Sequence, residues 1–121
     1  MSRRVLVIED QEDNRRIVRD LLTNFDYEII EAVTGEDGVR AAAEHLPDLI
    51  LMDVLLPGID GYEATRQIKA NPALSQIPII AVTSYALSGE DVKAFEAGCD
   101  AYMAKPVSPL ALLAKVREFL P

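Results

Sequence analysis

Residues 48–64, DLILMDVLLPGIDGYEA, hold an apolar run that ends on a carboxylate, Asp53, with Pro57, Gly58 and Gly61 close behind it. Positions 49 to 52 are apolar without alternation, which fits a strand covered by helices on both faces; a half-exposed strand would alternate apolar with polar. A charge at the end of such a strand lies where the chain leaves the sheet. Four further runs recur along the chain: RVLVIE (4–9), EIIEA (28–32), IPIIAVT (77–83) and AYMAK (101–105), beside DLILMD (48–53) itself. A segment of helical character follows each. Strand and helix alternating in this way indicate an α/β domain with a parallel sheet. The first, third and fourth runs are nearly continuous in apolar residues and are expected at its centre.

The helices carry their own punctuation. Thr34 with Asp37, Asp60 with Glu63, and Ser88 with Asp91 stand three apart at expected helix starts, a spacing that lets side-chain oxygens accept from first-turn N–H groups. Ser108-Pro109 marks a further start, because proline at the first helical position leaves no N–H unpaired. Ile17, Val18, Leu21, Leu22 and Phe25 in the first helix follow the 3.6-residue period, as do Leu112, Leu113, Val116 and Leu120 in the last. Both stripes are expected to be core.

With 121 residues the chain suits one domain, and half of it is hydrophobic, too apolar for disorder. The sequence stops directly after the fifth helix, so one domain over 1–121 with no output domain is expected. A net charge of −8 argues against a nucleic-acid partner, which needs a dense basic face. The single Cys99 can form no internal disulfide, MSRRVLVIED reaches acids before a signal-peptide core develops, and no apolar run approaches a membrane span. A cytoplasmic protein without membrane contact is the expectation.

In an open parallel sheet, ligands collect at the carboxyl ends of the strands. Those ends carry Glu9 and Asp10, then Asp53, then Thr83 and Ser84, then Lys105 and Pro106. Any one of these acids alone reads most simply as a cap or a solvated loop residue. Together they do not, because two carboxylates ~5 Å apart repel by roughly 3 kcal/mol at an effective dielectric of 20. Three acids ask for a cation, and Mg²⁺ suits an all-oxygen set. Zinc does not, since Cys99 and His45 belong to no ligand cluster; His45 reads as a surface residue and Cys99 as a small filler. Serine or cysteine nucleophiles lack a paired base. Phosphoryl chemistry remains: a carboxylate can be the nucleophile, with Mg²⁺ and Lys105 opposing the charge of the transition state and Thr83 donating to the product.

VLVIED, DLILMDVLLPGIDGYEA, IPIIAVTSYA and GCDAYMAKP, in this order and spacing, resemble the receiver domain of two-component response regulators along essentially the whole chain. The resemblance implies a single flavodoxin-like (βα)5 domain with a five-stranded parallel sheet of order 2-1-3-4-5 and helices on both faces. It implies that Asp53 is the phosphorylated residue, and that Mg²⁺ is held by Asp10 directly, Glu9 through water, Asp53, and the backbone carbonyl of Leu55. Thr83 and Lys105 match the residues that contact the phosphoryl group, Tyr102 matches the aromatic switch, and Lys105-Pro106 matches a cis peptide bond. Many members have Asp where this chain has Glu9, which bears on the metal geometry. AVTSYALSGEDVKAFEAGCDAYMAKP and the Asn14-Arg15 pair in EDNRR are similar to receivers of hybrid-kinase phosphorelays and of the stand-alone DivK type.

The expected function is a phosphorelay switch rather than a classical enzyme, catalysing only its own Mg²⁺-dependent phosphorylation and dephosphorylation. Its partners would be a histidine kinase or phosphotransfer protein at the first helix, and a target protein at the fourth helix, fifth strand and fifth helix. The alternatives are a receiver-like module that binds partners without phosphorylation, and an aspartate-dependent phosphohydrolase. The latter would resemble a D-x-D pattern, where this chain has Leu55. A nucleotide or flavin binder fits worst, because the first turn, EDQED, is acidic where phosphates need N–H groups.

Overall fold

The computed structural model describes residues 3–83 and 89–121. Strands and helices alternate from end to end: β1 (Arg4–Ile8), α1 (Glu12–Thr23), β2 (Glu28–Ala32), α2 (Gly35–His45), β3 (Leu49–Asp53), α3 (Gly61–Ala70), β4 (Ile79–Thr83), α4 (Glu90–Ala97), β5 (Ala101–Ala104) and α5 (Pro109–Phe119). The sheet is parallel throughout, in the order β2-β1-β3-β4-β5. The three most apolar runs are therefore its interior strands, as their composition predicts.

Side chains alternate across the sheet, and this divides the core into two layers. Leu6, Ile8, Ile50, Met52, Ile79 and Ala81 point to the layer that contains Ala42 of α2, Ala64 and Ile68 of α3, and Ala94 of α4. Val5, Val7, Leu49, Leu51 and Ile80 point to the other, with Leu22 of α1 and Leu112, Leu113 and Val116 of α5. Each fully buried Leu or Ile contributes about 1.5–3 kcal/mol relative to its exposed state, so the strands are fixed from both faces. The caps form as their spacing predicts at three starts: Thr34 accepts from Asp37 N–H at 3.0 Å, Asp60 from Glu63 N–H at 2.8 Å, and Ser108 from Ala111 N–H at 3.0 Å. Ser88 lies outside the described residues, and α4 starts after Gly89, which is its N-cap with φ 93° and offers no side-chain cap.

Two expectations need correction. Glu9, Asp48, Ile77, Pro78 and Lys105 flank the strands rather than belonging to them: Asp48 turns its carboxylate to the Arg4 N–H at 2.8 Å, and the Ile77 N–H closes a turn on Leu74 at 3.0 Å. The stripe of α1 is also not all core. Leu22 is buried and Val18 and Leu21 are half-buried, but Ile17 is 57% and Phe25 43% exposed. Ile17 borders an open cleft instead of the sheet. Phe25 lies beyond the end of the helix, where the 3.6-residue period no longer applies, and packs under Arg117, 5.0 Å from its ring centre.

Candidate functional site

The strand order reverses between β1 and β3. From β1 the chain runs outward to β2 and then crosses to β3, so the connections leaving these neighbours diverge and open a crevice at their carboxyl ends. Glu9 and Asp10 follow β1 directly and Asp53 closes β3. Because Ile8 pairs with Met52, the acids that follow arrive at one level.

Ligand oxygens of Glu9, Asp10 and Asp53 all lie within 4.8 Å of one another. Lys105, just past β5, reaches across the crevice: its Nζ donates to Glu9 Oε1 at 2.7 Å and stands 3.4 Å from Asp53 Oδ2. The Gln11 N–H donates to the other Glu9 oxygen at 3.2 Å. Asp53 is 6% exposed, and its Oδ1 is buried with no hydrogen-bond partner among the described residues. An orphaned carboxylate oxygen costs on the order of 1–3 kcal/mol or more.

The charges respond to this crowding. Burial, reinforced by the neighbouring Glu9, pushes the Asp53 carboxyl up to about 7 against the opposing pull of Lys105. Burial also pushes Glu9 up, but hydrogen bonds led by that from Lys105 outweigh it and hold Glu9 below the usual carboxylate value. Asp10 is raised by burial and by Glu9, while Lys105 is raised by its two acids in spite of burial. One ammonium thus faces three acids, and one buried oxygen faces no donor among the described residues. An all-oxygen set with such an atom fits a hard cation of the Mg²⁺ kind.

The other candidates are placed as follows. Thr83 is fully buried at the end of β4, and Leu55 is 52% exposed in the connection after β3. Tyr102 is half-buried on β5 and packs on the layer of α2, α3 and α4; burial together with Glu90 and Asp91 pushes its phenol up. The Lys105–Pro106 bond is cis. Ser84 lies outside the described residues. His45 is exposed, and Cys99 is buried with its sulfur 3.7 Å from the Thr65 hydroxyl.

Gly61 holds α3 against the back of the site. Its N–H donates to the Val54 carbonyl at 2.9 Å, and a Cβ here would lie 2.2 Å from the Asp53 carbonyl oxygen and 2.8 Å from Val54 Cα. Backbone cannot rotate away as a side chain can. Gly61→Ala is expected to lose about 3 kcal/mol in urea unfolding, with Asp53 displaced.

Sequence reasoning missed two contacts. Arg15 donates through Nη1 to the Glu9 carbonyl at 2.9 Å, although the Asn14-Arg15 pair served only as a family marker. Tyr62, in the first turn of α3, donates to Glu90 Oε2 at 2.5 Å and so joins α3 to the start of α4. The partners are 28 residues apart, and no local pattern marks them.

The family profile described as "Response regulator receiver domain" matches residues 5–117. The polar-differentiation response regulator DivK of Brucella ovis is 38% identical over 120 residues, covering 99% of this chain and 98% of that protein. The receiver domain of sensor histidine kinase PA1611 from Pseudomonas aeruginosa PAO1, solved with a magnesium ion coordinated in the active site cleft, superposes with a TM-score of 0.91 at 33% identity, covering 99% of this chain and 98% of that one. The response regulator receiver domain protein (CheY-like) from Methanospirillum hungatei JF-1 gives a TM-score of 0.90 at 31% identity, covering 99% and 94%. No helix among the described residues is long and apolar enough to cross a membrane.

Proposed function

Because the chain belongs to the response regulator receiver domain family of two-component signalling, we propose that residues 1–121 form a switch domain that accepts a phosphoryl group on Asp53. The observation that carries this reading is the buried Asp53 Oδ1, without a hydrogen-bond partner among the described residues, beside two acids and a lysine. Mg²⁺ held by Glu9, Asp10, Asp53 and the Leu55 carbonyl would supply positive charge to the phosphoryl oxygens. Asp53 attacks phosphorus, the bond from phosphorus to the donor's histidine nitrogen breaks, and the nitrogen keeps the electron pair. Lys105 offsets the charge left on the acyl phosphate, and the Thr83 hydroxyl donates to it.

The donor is a phosphohistidine on a histidine kinase or phosphotransfer protein. It would approach along α1, where a cleft of about 560 Å³ lined by Asn14, Ile17, Val18, Val107 and Pro109 runs up to Glu9, Asp53 and Lys105. The response would pass through Thr83 to Tyr102 and change the face of α4, β5 and α5 that a target protein reads. A bias of a few kcal/mol between two packings suffices for such a switch.

The test is incubation with acetyl phosphate, followed by intact mass. Label is expected with Mg²⁺ present and at least 100-fold less after EDTA. Labelling indifferent to EDTA would remove the metal from the reading, and a protein that takes no label yet binds its partners would be a phosphorylation-independent module.

A further inference from the structure

We propose that Arg15 is a positioning residue for the acidic pair, fixing the Glu9–Asp10 peptide so that both carboxylates face the cation. This rests on the phosphoacceptor reading only for the identity of the metal. Arg15 stands one turn into α1, yet its side chain is 12% exposed. Its guanidinium is divided among three elements. Nη1 donates to the Glu9 carbonyl at 2.9 Å, Nε to Glu31 Oε1 at 3.2 Å, and Nη2 to Glu12. Glu31 is on β2, one residue before Ala32, whose carbonyl accepts the Glu9 N–H at 3.0 Å.

Both polar groups of Glu9's backbone are thereby held, the N–H by β2 and the carbonyl by α1. A planar peptide with a fixed carbonyl also fixes the N–H of the next residue, so Arg15 sets where the backbone of Asp10 starts. The rigid fork matters, because three donors in one plane hold the carbonyl in a fixed relation to β2 and to the start of α1. Without Arg15 the Glu9 carbonyl would have to find water beside three carboxylates, and the turn could rotate their oxygens apart. Supporting groups of this kind commonly change metal affinity by 10–100-fold when lost.

The neighbouring residues supply the controls. Arg19 makes the same tie from α1 to β2, donating to both Glu31 oxygens at 2.9 and 3.0 Å, while the side-chain bond to the Glu9 carbonyl comes from Arg15. Arg16 pairs with Asp13 at 3.1 Å on the outer face. Loss of general helix anchoring and loss of carbonyl positioning can therefore be separated.

The experiment is calorimetric Mg²⁺ titration of the wild type, Arg15→Ala, Arg15→Lys, Arg19→Ala and Arg16→Ala, with metal-free hydrogen exchange over residues 9–13. Arg15→Ala is expected to bind Mg²⁺ about 10-fold more weakly and to exchange faster across the turn. Arg15→Lys, which keeps one donor for the carbonyl, is expected to recover part of the affinity, and the Arg19 and Arg16 variants to match the wild type. Equal affinity in Arg15→Ala and the wild type, or an equal loss in Arg19→Ala, would overturn the proposal while leaving Asp53 labelling untouched. A wild type that binds Mg²⁺ but takes no phosphoryl group would overturn the phosphoacceptor reading and leave this one standing. A wild type that binds no Mg²⁺ overturns both.

Discussion

Asp53→Asn is expected to take no label from acetyl phosphate and Mg²⁺ under conditions that label the wild type, and at the same time to unfold at a higher temperature without metal. The loss is chemical: an amide oxygen is a poor nucleophile toward phosphorus, while the shape of the side chain is retained. The gain is electrostatic. Asp53 titrates at about 7 in the folded protein instead of the ordinary 3.8, so between these values the folded state holds a proton that the unfolded chain has released. Stability from this group is complete below the unfolded value and is lost as pH rises through about 7. By about pH 8 the charged carboxylate costs roughly 3–4 kcal/mol. Asparagine does not titrate. The difference in melting temperature between Asp53→Asn and the wild type should therefore widen from about pH 5 to about pH 8 and narrow when Mg²⁺ is added, because the ion favours the wild-type fold by mass action. Label on Asp53→Asn would remove the assignment of the acceptor, and a flat difference across pH would remove the electrostatic account.

Most of this fold is legible because its physics is local. Continuous apolar runs mark strands covered twice, a Thr, Asp or Ser placed three residues ahead of an N–H marks a helix start, and the alternation of the two gives a parallel sheet. The acids were legible for a related reason: a parallel sheet places every strand end on one edge, so Glu9, Asp10, Asp53 and Lys105 could be collected without knowing a distance. What could not be read depends on partners remote in sequence. Ile17 carries the right period but borders a cleft, because periodicity says which face is apolar and not what covers it. The division of Lys105 between two acids, closer to Glu9 at 2.7 Å than to Asp53 at 3.4 Å, is likewise a matter of tertiary reach. So is Arg15, whose sequence position shows a surface helix and whose guanidinium ends under the site.

Lys105→Met carries the other large effect, since it tests the cation while keeping most of the side chain's bulk. Lys105 is the only cation paired with Glu9 or Asp53 among the described residues, and the two acids are 5% and 6% exposed. Removing one partner of a buried pair costs about 3–5 kcal/mol. The Lys105 side chain is 23% exposed, so the pair is partly screened and a loss of about 2–3 kcal/mol is expected near pH 8. The pH window follows from the acids, because Lys105 is raised above its ordinary 10.5 and stays charged throughout. Lys105 lowers both Glu9 and Asp53. Without it both rise, the folded state keeps its protons to higher pH, and the stability of Lys105→Met falls more steeply than that of the wild type as pH is raised. Near pH 5, where Asp53 is protonated in either protein, the deficit should shrink to about 1 kcal/mol. Mg²⁺ should recover much of it by replacing the missing charge, but should not restore the response of α4, since a bound ion cannot bridge from the acyl phosphate to the backbone that carries Lys105. Urea unfolding at the two pH values gives the first result, and hydrogen exchange over α4 after acetyl phosphate gives the second. A Lys105→Met protein whose stability follows the wild-type pH profile would show that the acids are balanced by something other than this lysine.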